Sequence, residues 1–294
     1  MDIGFILAVT DQTGDLAQIA CTLESSGYES LWIPEHPVIP VAMKTLFPFT
    51  PDNKLPEHYA RWPDPFVALT VAACATTRLK LGTGICLLPE REPLITAKVA
   101  ASLDFYSNGR LILGVGAGWL REETEVMGAN FGTRWKLTRE TVEALRVLWT
   151  HREASYTGEL VKFAAVRSEP KPVQKPHPPV LLGAHGDKAL DRVARTYDGW
   201  MPIVEGPDQL KRDVATLRKL TQQHDRNPDK LSISPFVDPG ENGPSLDDLK
   251  RYRDAGATRV ILFSQAIAAE TAAGKALDFI KRFAPSVERA AQVN

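Results

Sequence analysis

Eight times along this chain a short aliphatic or β-branched run gives way to a turn and then to a segment with helical apolar spacing. The candidate strands are Ile3 to Val9, Ser30 to Pro34, Leu79 to Ile85, Leu111 to Gly116, Val180 to Ala184, Gly199 to Val204, Leu231 to Val237 and Arg259 to Ser264. Helical patterns run over Asp15 to Ser26, Asp64 to Ala75, Pro93 to Tyr106, Arg134 to Trp149, Asp187 to Thr196, Pro207 to His224, Ser245 to Ala255 and Ala272 to Ala291. The strand runs are continuously apolar rather than alternating, as parallel strands covered on both faces are. Eight β/α units in one chain favour closure into a TIM (β/α)8 barrel over an open sheet. We therefore expect one α/β barrel domain over residues 1–294, closed by the last helix with Leu277, Ile280 and Phe283 on its buried stripe.

Two stretches interrupt the rhythm. Residues 35–63 carry six prolines and no periodicity, and residues 165–179 follow a hairpin expected at SYTGELVKF. A long loop inside a compact domain is usually functional. The first one leaves the C-terminal end of the second strand, the side on which barrel active sites are built. It is expected to form a substrate wall, with Arg61 and Trp62 as contact candidates.

Composition narrows the function. Thirty-five basic residues against 36 acidic ones, with no block of five like charges, make a nucleic-acid surface unlike this chain. The N-terminus lacks a positive region before its short apolar run, and VALTVAACA is far below membrane-spanning length, so a soluble cytoplasmic protein is expected. Cys21, Cys74 and Cys86 form no C-x-x-C pair, and the six histidines form no H-E-x-x-H. The thiols read as packing residues and no metal site is supported.

The stretch RLILGVGAGWLREE, residues 110–123, places three glycines at the end of the fourth strand run. Gly114 and Gly116 fit the G-x-G-x-x-G dinucleotide fingerprint, but its third glycine would fall on Trp119. A bulky indole there opposes the close helix–strand packing that the glycine permits. Two readings stay open for these glycines. They can serve tight strand exits and packing inside the barrel. Alternatively, with L-G-T-G-I at 81–85 and L-G-A-H-G at 182–186, they can form a shelf where backbone N–H groups approach a flat ring and a phosphate.

The set WIPEH at 32–36, LGTGICLLP at 81–89, SNGRLILGVGAGWLREE at 107–123, RWKLTRE from 134, KPVQKPHPPVLLGAHG at 171–186 and YDGW at 197–200 resembles the bacterial-luciferase-like monooxygenase superfamily. More narrowly, it is similar to the coenzyme F420-dependent oxidoreductase branch. The resemblance implies a barrel binding F420, or alternatively FMN, in its C-terminal mouth, against a bulge carrying a non-prolyl cis peptide at Gly84–Ile85. Thr83, Gly84 and Ile85 would buttress the central ring. Gly116, Ala117, Gly118 and Trp119 would line the cofactor's tail or edge, and Gly183, Ala184, His185 and Gly186 would offer donors to its phosphate or pyrimidine side.

The resemblance also implies an acid–histidine pair after the second strand, which maps to Glu35 and His36. A hydride moving between ring and substrate must be matched by a proton, which a histidine can supply or accept near neutrality. The expected function is hydride transfer between F420 and a small organic substrate. The alternatives are FMN-dependent, oxygen-using monooxygenation and a flavin-binding barrel without turnover. Family members are often homodimers, though no feature of this chain marks the interface. Trp119 stands where some F420-dependent sugar-phosphate dehydrogenases carry a glutamate, which argues against a catalytic acid from that loop.

Overall fold

The eight barrel positions are filled by β1 (Asp2–Ile6), β2 (Ser30–Ile33), β3 with its continuation β4 (Lys80–Thr83 and Cys86–Leu87), β5 (Leu111–Gly116), β8 (Val180–Leu182), β9 (Gly199–Trp200), the pair β10 and β11 (Ser232–Ile233 and Phe236–Val237), and β12 (Arg259–Leu262). A separate antiparallel hairpin, β6 (Ala154–Thr157) and β7 (Lys162–Val166), stands at the expected SYTGELVKF turn. This is a computed structural model that describes residues 1–50 and 52–293; Pro51, in the Pro-rich stretch, and Asn294 lie outside the described residues.

All barrel pairings are parallel, in the order β10-β9-β8-β5-β3-β2-β1-β12-β11. The two ends of that order are halves of one bent segment, because β10 pairs with β9 while β11 pairs with β12. Between the halves lie Ser234 and Pro235, and a proline has no N–H to donate to a ladder. The expected strand from Leu231 to Val237 is therefore two short ones. The bend joins the sheet's edges, and Ile203 bridges to Phe236 at the seam.

Two apolar layers hold the barrel. One lies between strands and helices and includes Phe5, Leu31, Leu113, Val180 and Phe283. The other fills the interior, with Ile6, Trp32, Ile112, Leu181, Met201, Phe236 and Ile261. Trp32 needs neighbours without side chains: a Cβ at Gly82 would stand 2.1 Å from its ring, and one at Gly4 2.7 Å from its Nε1. The indole N–H donates to Ser30 Oγ at 2.8 Å, so its polar atom is satisfied inside the barrel.

The surrounding helices begin where the sequence supplies caps. They are α1 (Leu16–Ser25), α2 (Pro65–Ala75), α3 (Pro93–Tyr106), α4 (Arg121–Val126), α5 (Arg134–Thr150), α6 (Asp187–Thr196), α7 (Pro207–Gln223), α8 (Leu246–Asp254), α9 (Gln265–Glu270) and α10 (Ala276–Ala291). Asp15 and Asp64 accept amide hydrogens at the first turns of α1 and α2, and Ser245 with Asp248 forms a capping box on α8. The short α4 and α9 go beyond the helical patterns of the sequence. The expected helix from Ala272 starts later, because Gly274 adopts φ +94° and breaks the path between α9 and α10. Ile280 and Phe283 are buried as expected, while Leu277 is half-buried. The packing role expected for the cysteines holds for buried Cys86; Cys21 and Cys74 are exposed on α1 and α2.

Candidate functional site

A cavity of about 490 Å3 opens at the C-terminal ends of the strands, within the range of small-molecule sites. His36, just after β2, faces it and is 8% exposed. Its Nδ1 lies 2.6 Å from Glu123 Oε2, a wholly buried carboxylate on α4. The Trp119 indole donates toward His36 Nε2 at 3.4 Å. An indole N–H can only donate, so in this arrangement Nε2 carries the lone pair and Nδ1 carries the proton that Glu123 receives. Tyr59, Trp62 and Trp119 surround the imidazole with ring centroids 5.4 to 5.9 Å away.

Glu35 does not pair with His36. Its Oε2 receives the Leu87 N–H at 2.7 Å and its Oε1 receives Arg91 Nε at 2.6 Å, with a second contact from Arg91 Nη2. Arg91 also binds Asp64 and lies over the Phe66 ring. Both oxygens of Glu35 are thus committed to holding β2, β4 and α2 together. Glu35 nevertheless borders the cavity together with His36.

The Gly84–Ile85 peptide is cis, at the position the resemblance implied. Most of the barrel-end glycines, however, meet protein neighbours. A Cβ at Gly114 would stand 2.1 Å from the Thr83 carbonyl, one at Gly116 2.1 Å from Ile85 Cδ1, and one at Gly183 2.6 Å from Ile85 Cγ2. Thr83 is wholly buried, with its hydroxyl donated to Gly114 O at 2.6 Å. Thr83 and Gly116 therefore shape the wall from behind, and Gly186 starts α6 at φ +82°.

Gly84, Ile85, Ala117, Gly118, Trp119, Gly183, Ala184 and His185 do border the cavity. Ile85 is the hinge of the arrangement, since two bare backbones receive its side chain. Of the two substrate-wall candidates, Trp62 borders the cavity and its buried Nε1 has no partner. Arg61 is bound instead to Asp11, Nε to Oδ1 at 2.8 Å and Nη2 to Oδ2 at 2.6 Å.

Several cavity residues escaped the sequence reading. Arg134, at the start of α5, borders the cavity, donates to Gly118 O at 3.1 Å and lies 3.6 Å from the Phe131 ring centroid. It falls within the quoted RWKLTRE, yet nothing local distinguishes it from a surface arginine at a helix start. Tyr59 and Gln265 border the cavity together, the hydroxyl donating to Gln265 Oε1 at 3.1 Å. Glu123 is 87 positions from His36, a separation that spacing alone cannot bridge.

A parallel barrel with polar groups gathered at its strand C-termini has the architecture of a TIM-barrel enzyme site. Within that class, the chain belongs to the luciferase-like monooxygenase family, whose model matches residues 5–239. It is 37% identical over 268 residues to an uncharacterized protein of Mycobacterium tuberculosis, covering 89% of this chain and 91% of that one. Among solved structures it resembles the monooxygenase RslO1 of Streptomyces bottropensis, with TM-score 0.73, 20% identity and coverage of 97% and 99%. It also resembles the coenzyme F420-dependent tetrahydromethanopterin reductase of Methanopyrus kandleri, with TM-score 0.71, 18% identity and the same coverage. At that identity the two structures establish the luciferase-like barrel fold.

Proposed function

We propose that this protein is an F420-dependent oxidoreductase that moves a hydride between the deazaflavin and a small organic substrate, with His36 handling the proton. The observation that carries the reading is the His36–Glu123 pair: an imidazole bordering an aromatic-walled cavity, backed by a buried carboxylate, with only the long Trp119 contact on its Nε2. That arrangement suits an alcohol or carbonyl oxygen, which must lose or gain a proton as hydride leaves or arrives. Glu123, rather than Glu35, supports the charge on the ring.

The residues present fit a phosphorylated tricyclic cofactor. Gly84 and Ala117 leave the wall flat, while Arg134 and His185, both on the cavity wall, are groups that an anionic tail could use. When bound, the deazaflavin would supply or accept the hydride. The chain's own part is to seat the ring against Ile85, hold the substrate oxygen near His36 Nε2, and exclude water with Tyr59, Trp62 and Trp119. The unpartnered Trp62 N–H offers that oxygen a donor, since a buried donor left unmade is costly.

The test is parallel titration of the apoprotein with F420 and FMN, followed by spectroscopy under anaerobic and aerobic conditions. Anaerobic bleaching or recovery of F420 absorbance with a small alcohol or ketone is expected. FMN binding with oxygen-dependent turnover would install the monooxygenase reading in its place, and binding without turnover would make the protein a carrier. His36→Ala is expected to lower turnover on the order of 10²- to 10⁴-fold while cofactor affinity stays within twofold.

A further inference from the structure

One edge of the cavity carries positive charge that the chain does not neutralise. Arg134 and Trp135, at the start of α5, both border the cavity. Two aromatic rings gather further charge around them. Arg121 and Arg134 lie over the Phe131 ring, with their guanidinium carbons 4.4 and 3.6 Å from its centroid. Arg134 also lies 5.9 Å from the Trp135 centroid, and Arg192, on α6, lies 4.2 Å from the same ring. Guanidinium groups from α4, α5 and α6 are thus linked through two aromatic faces beside the cavity.

Their charges are poorly matched inside the chain. Among the described residues neither Arg134 nor Arg192 has a carboxylate partner, and Arg121 has only Glu125, at 3.1 Å in an exposed pair on α4. Such an exposed pair is weak and easily exchanged. Arg134 gives Nε to Gly118 O at 3.1 Å and Nη1 to Phe131 O at 2.8 Å, but a carbonyl accepts a hydrogen bond without cancelling the charge. Arg192 makes no hydrogen bond to a described residue, which leaves its five donors for a ligand. Burial first, and then the like charges of Arg121 and Arg192, draw the Arg134 guanidinium below its usual value. Like charges held together beside a cavity suit a ligand that brings several negative ones.

The two candidate cofactors differ in this respect. FMN ends at a single phosphate, which one arginine fork can hold, whereas the phosphate of F420 continues into a chain of carboxylates. We propose that Arg134, Arg192 and Arg121 bind the carboxylates that follow the phosphate in the F420 tail, so that tail length sets cofactor affinity. Planar forks match carboxylates in a bidentate manner, and three forks can serve three successive groups. This assignment rests on the F420 reading and extends it beyond the ring and phosphate.

The test is a set of binding constants for the full-length apoprotein, measured by fluorescence with three deazaflavins: one without phosphate or tail, one with a single glutamate and one with five. The long tail is expected to bind about fivefold more tightly than the short one at low ionic strength, and that gain should fade at about 0.5 M salt. Arg192→Gln should abolish the gain while the tail-less compound binds as before and the melting temperature holds. Arg192→Lys, which keeps the charge but not the fork, should restore part of it. Equal affinity for both tails in the wild type, or a gain that survives in Arg192→Gln, overturns the proposal. A second arm needs no cofactor: γ-linked pentaglutamate is titrated into the apoprotein while the indole N–H signal of Trp135, assigned by Trp135→Phe, is followed. If no deazaflavin binds, the F420 reading fails and this arm alone decides. A saturable shift that Arg192→Gln removes keeps the site for an anionic chain, and its absence removes it.

Discussion

Apart from the Glu35–Arg91 pair, the two ends of the barrel treat buried charge in opposite ways. At the N-terminal end, Glu29 just before β2 receives Arg259 Nε and Nη2 at 2.6 and 2.5 Å and Lys80 Nζ at 2.8 Å. Arg259 also donates to Ser234 Oγ at 3.1 Å. Burial alone would raise the Glu29 carboxyl, but the two cations reverse that and hold it at about 2. At the C-terminal end, Glu90, Glu122 and Glu123 each keep a buried oxygen with no partner. The first end spends its charges on closing the sheet at β2, β3 and β12; the second keeps hydrogen-bonding capacity in reserve, which is what a site needs.

The comparison breaks most visibly at Arg259. Arg259→Met would leave Glu29 buried without its main partner, a change that typically costs about 3–5 kcal/mol. Urea denaturation at pH 7 should show that loss, while the remaining folded protein binds cofactor as before. The pH dependence follows from the lowered Glu29 value. Its stabilising contribution is present above the ordinary 4.5 and fades as pH falls toward 2, so the variant's stability should vary less with pH over that window. A loss below about 1 kcal/mol would place the pair with ordinary surface contacts.

At the other end the signs should invert. Glu123→Gln keeps the shape and a hydrogen bond to His36 but cannot balance an imidazolium, so turnover should fall on the order of 10- to 100-fold. Stability should hold or rise, because a buried carboxylate with an unmet oxygen is removed. Steady-state kinetics beside a melting curve checks both halves. A variant that melts early with unchanged turnover would move Glu123 to the structural end of the comparison.

How far each end was legible in the sequence follows from the range of the contacts involved. The eight repeats, the span of β5, the span of α3 and the hairpin are written in local apolar pattern and turn chemistry, and all are present. The cis bond was readable through resemblance, and so was the position of His36 at the cavity. The partners were not. Glu35 beside His36 looked like a pair, yet its true partner is Arg91, and the carboxylate for His36 comes from Glu123. Likewise, a glycine announces that something approaches, without saying what. At Gly82 it is Trp32, at Gly116 and Gly183 it is Ile85, and both answers require the folded barrel. The shelf reading and the packing reading of those glycines were therefore both incomplete, since packing of Ile85 is what shapes the shelf.

The smallest effect concerns the wall of the mouth. Glu122 Oε1 receives the N–H groups of Lys44 and Thr45 at 2.7 and 3.1 Å, tying the Pro-rich loop to α4. The Thr45 hydroxyl, with those amides, holds the Glu122 carboxyl at about 2, so the tie persists through neutral and mildly acidic solution. Leu46 and Val41 on this segment are exposed, and Phe47 is buried against Tyr59 and Trp119, so the loop is fastened at few points. Glu122→Ala removes one of them without touching His36. We expect a KM increase of about twofold to fivefold with kcat nearly unchanged, together with faster proteolytic nicking between residues 38 and 46. A change in kcat with KM unaltered would mean that the loop positions His36 rather than the substrate.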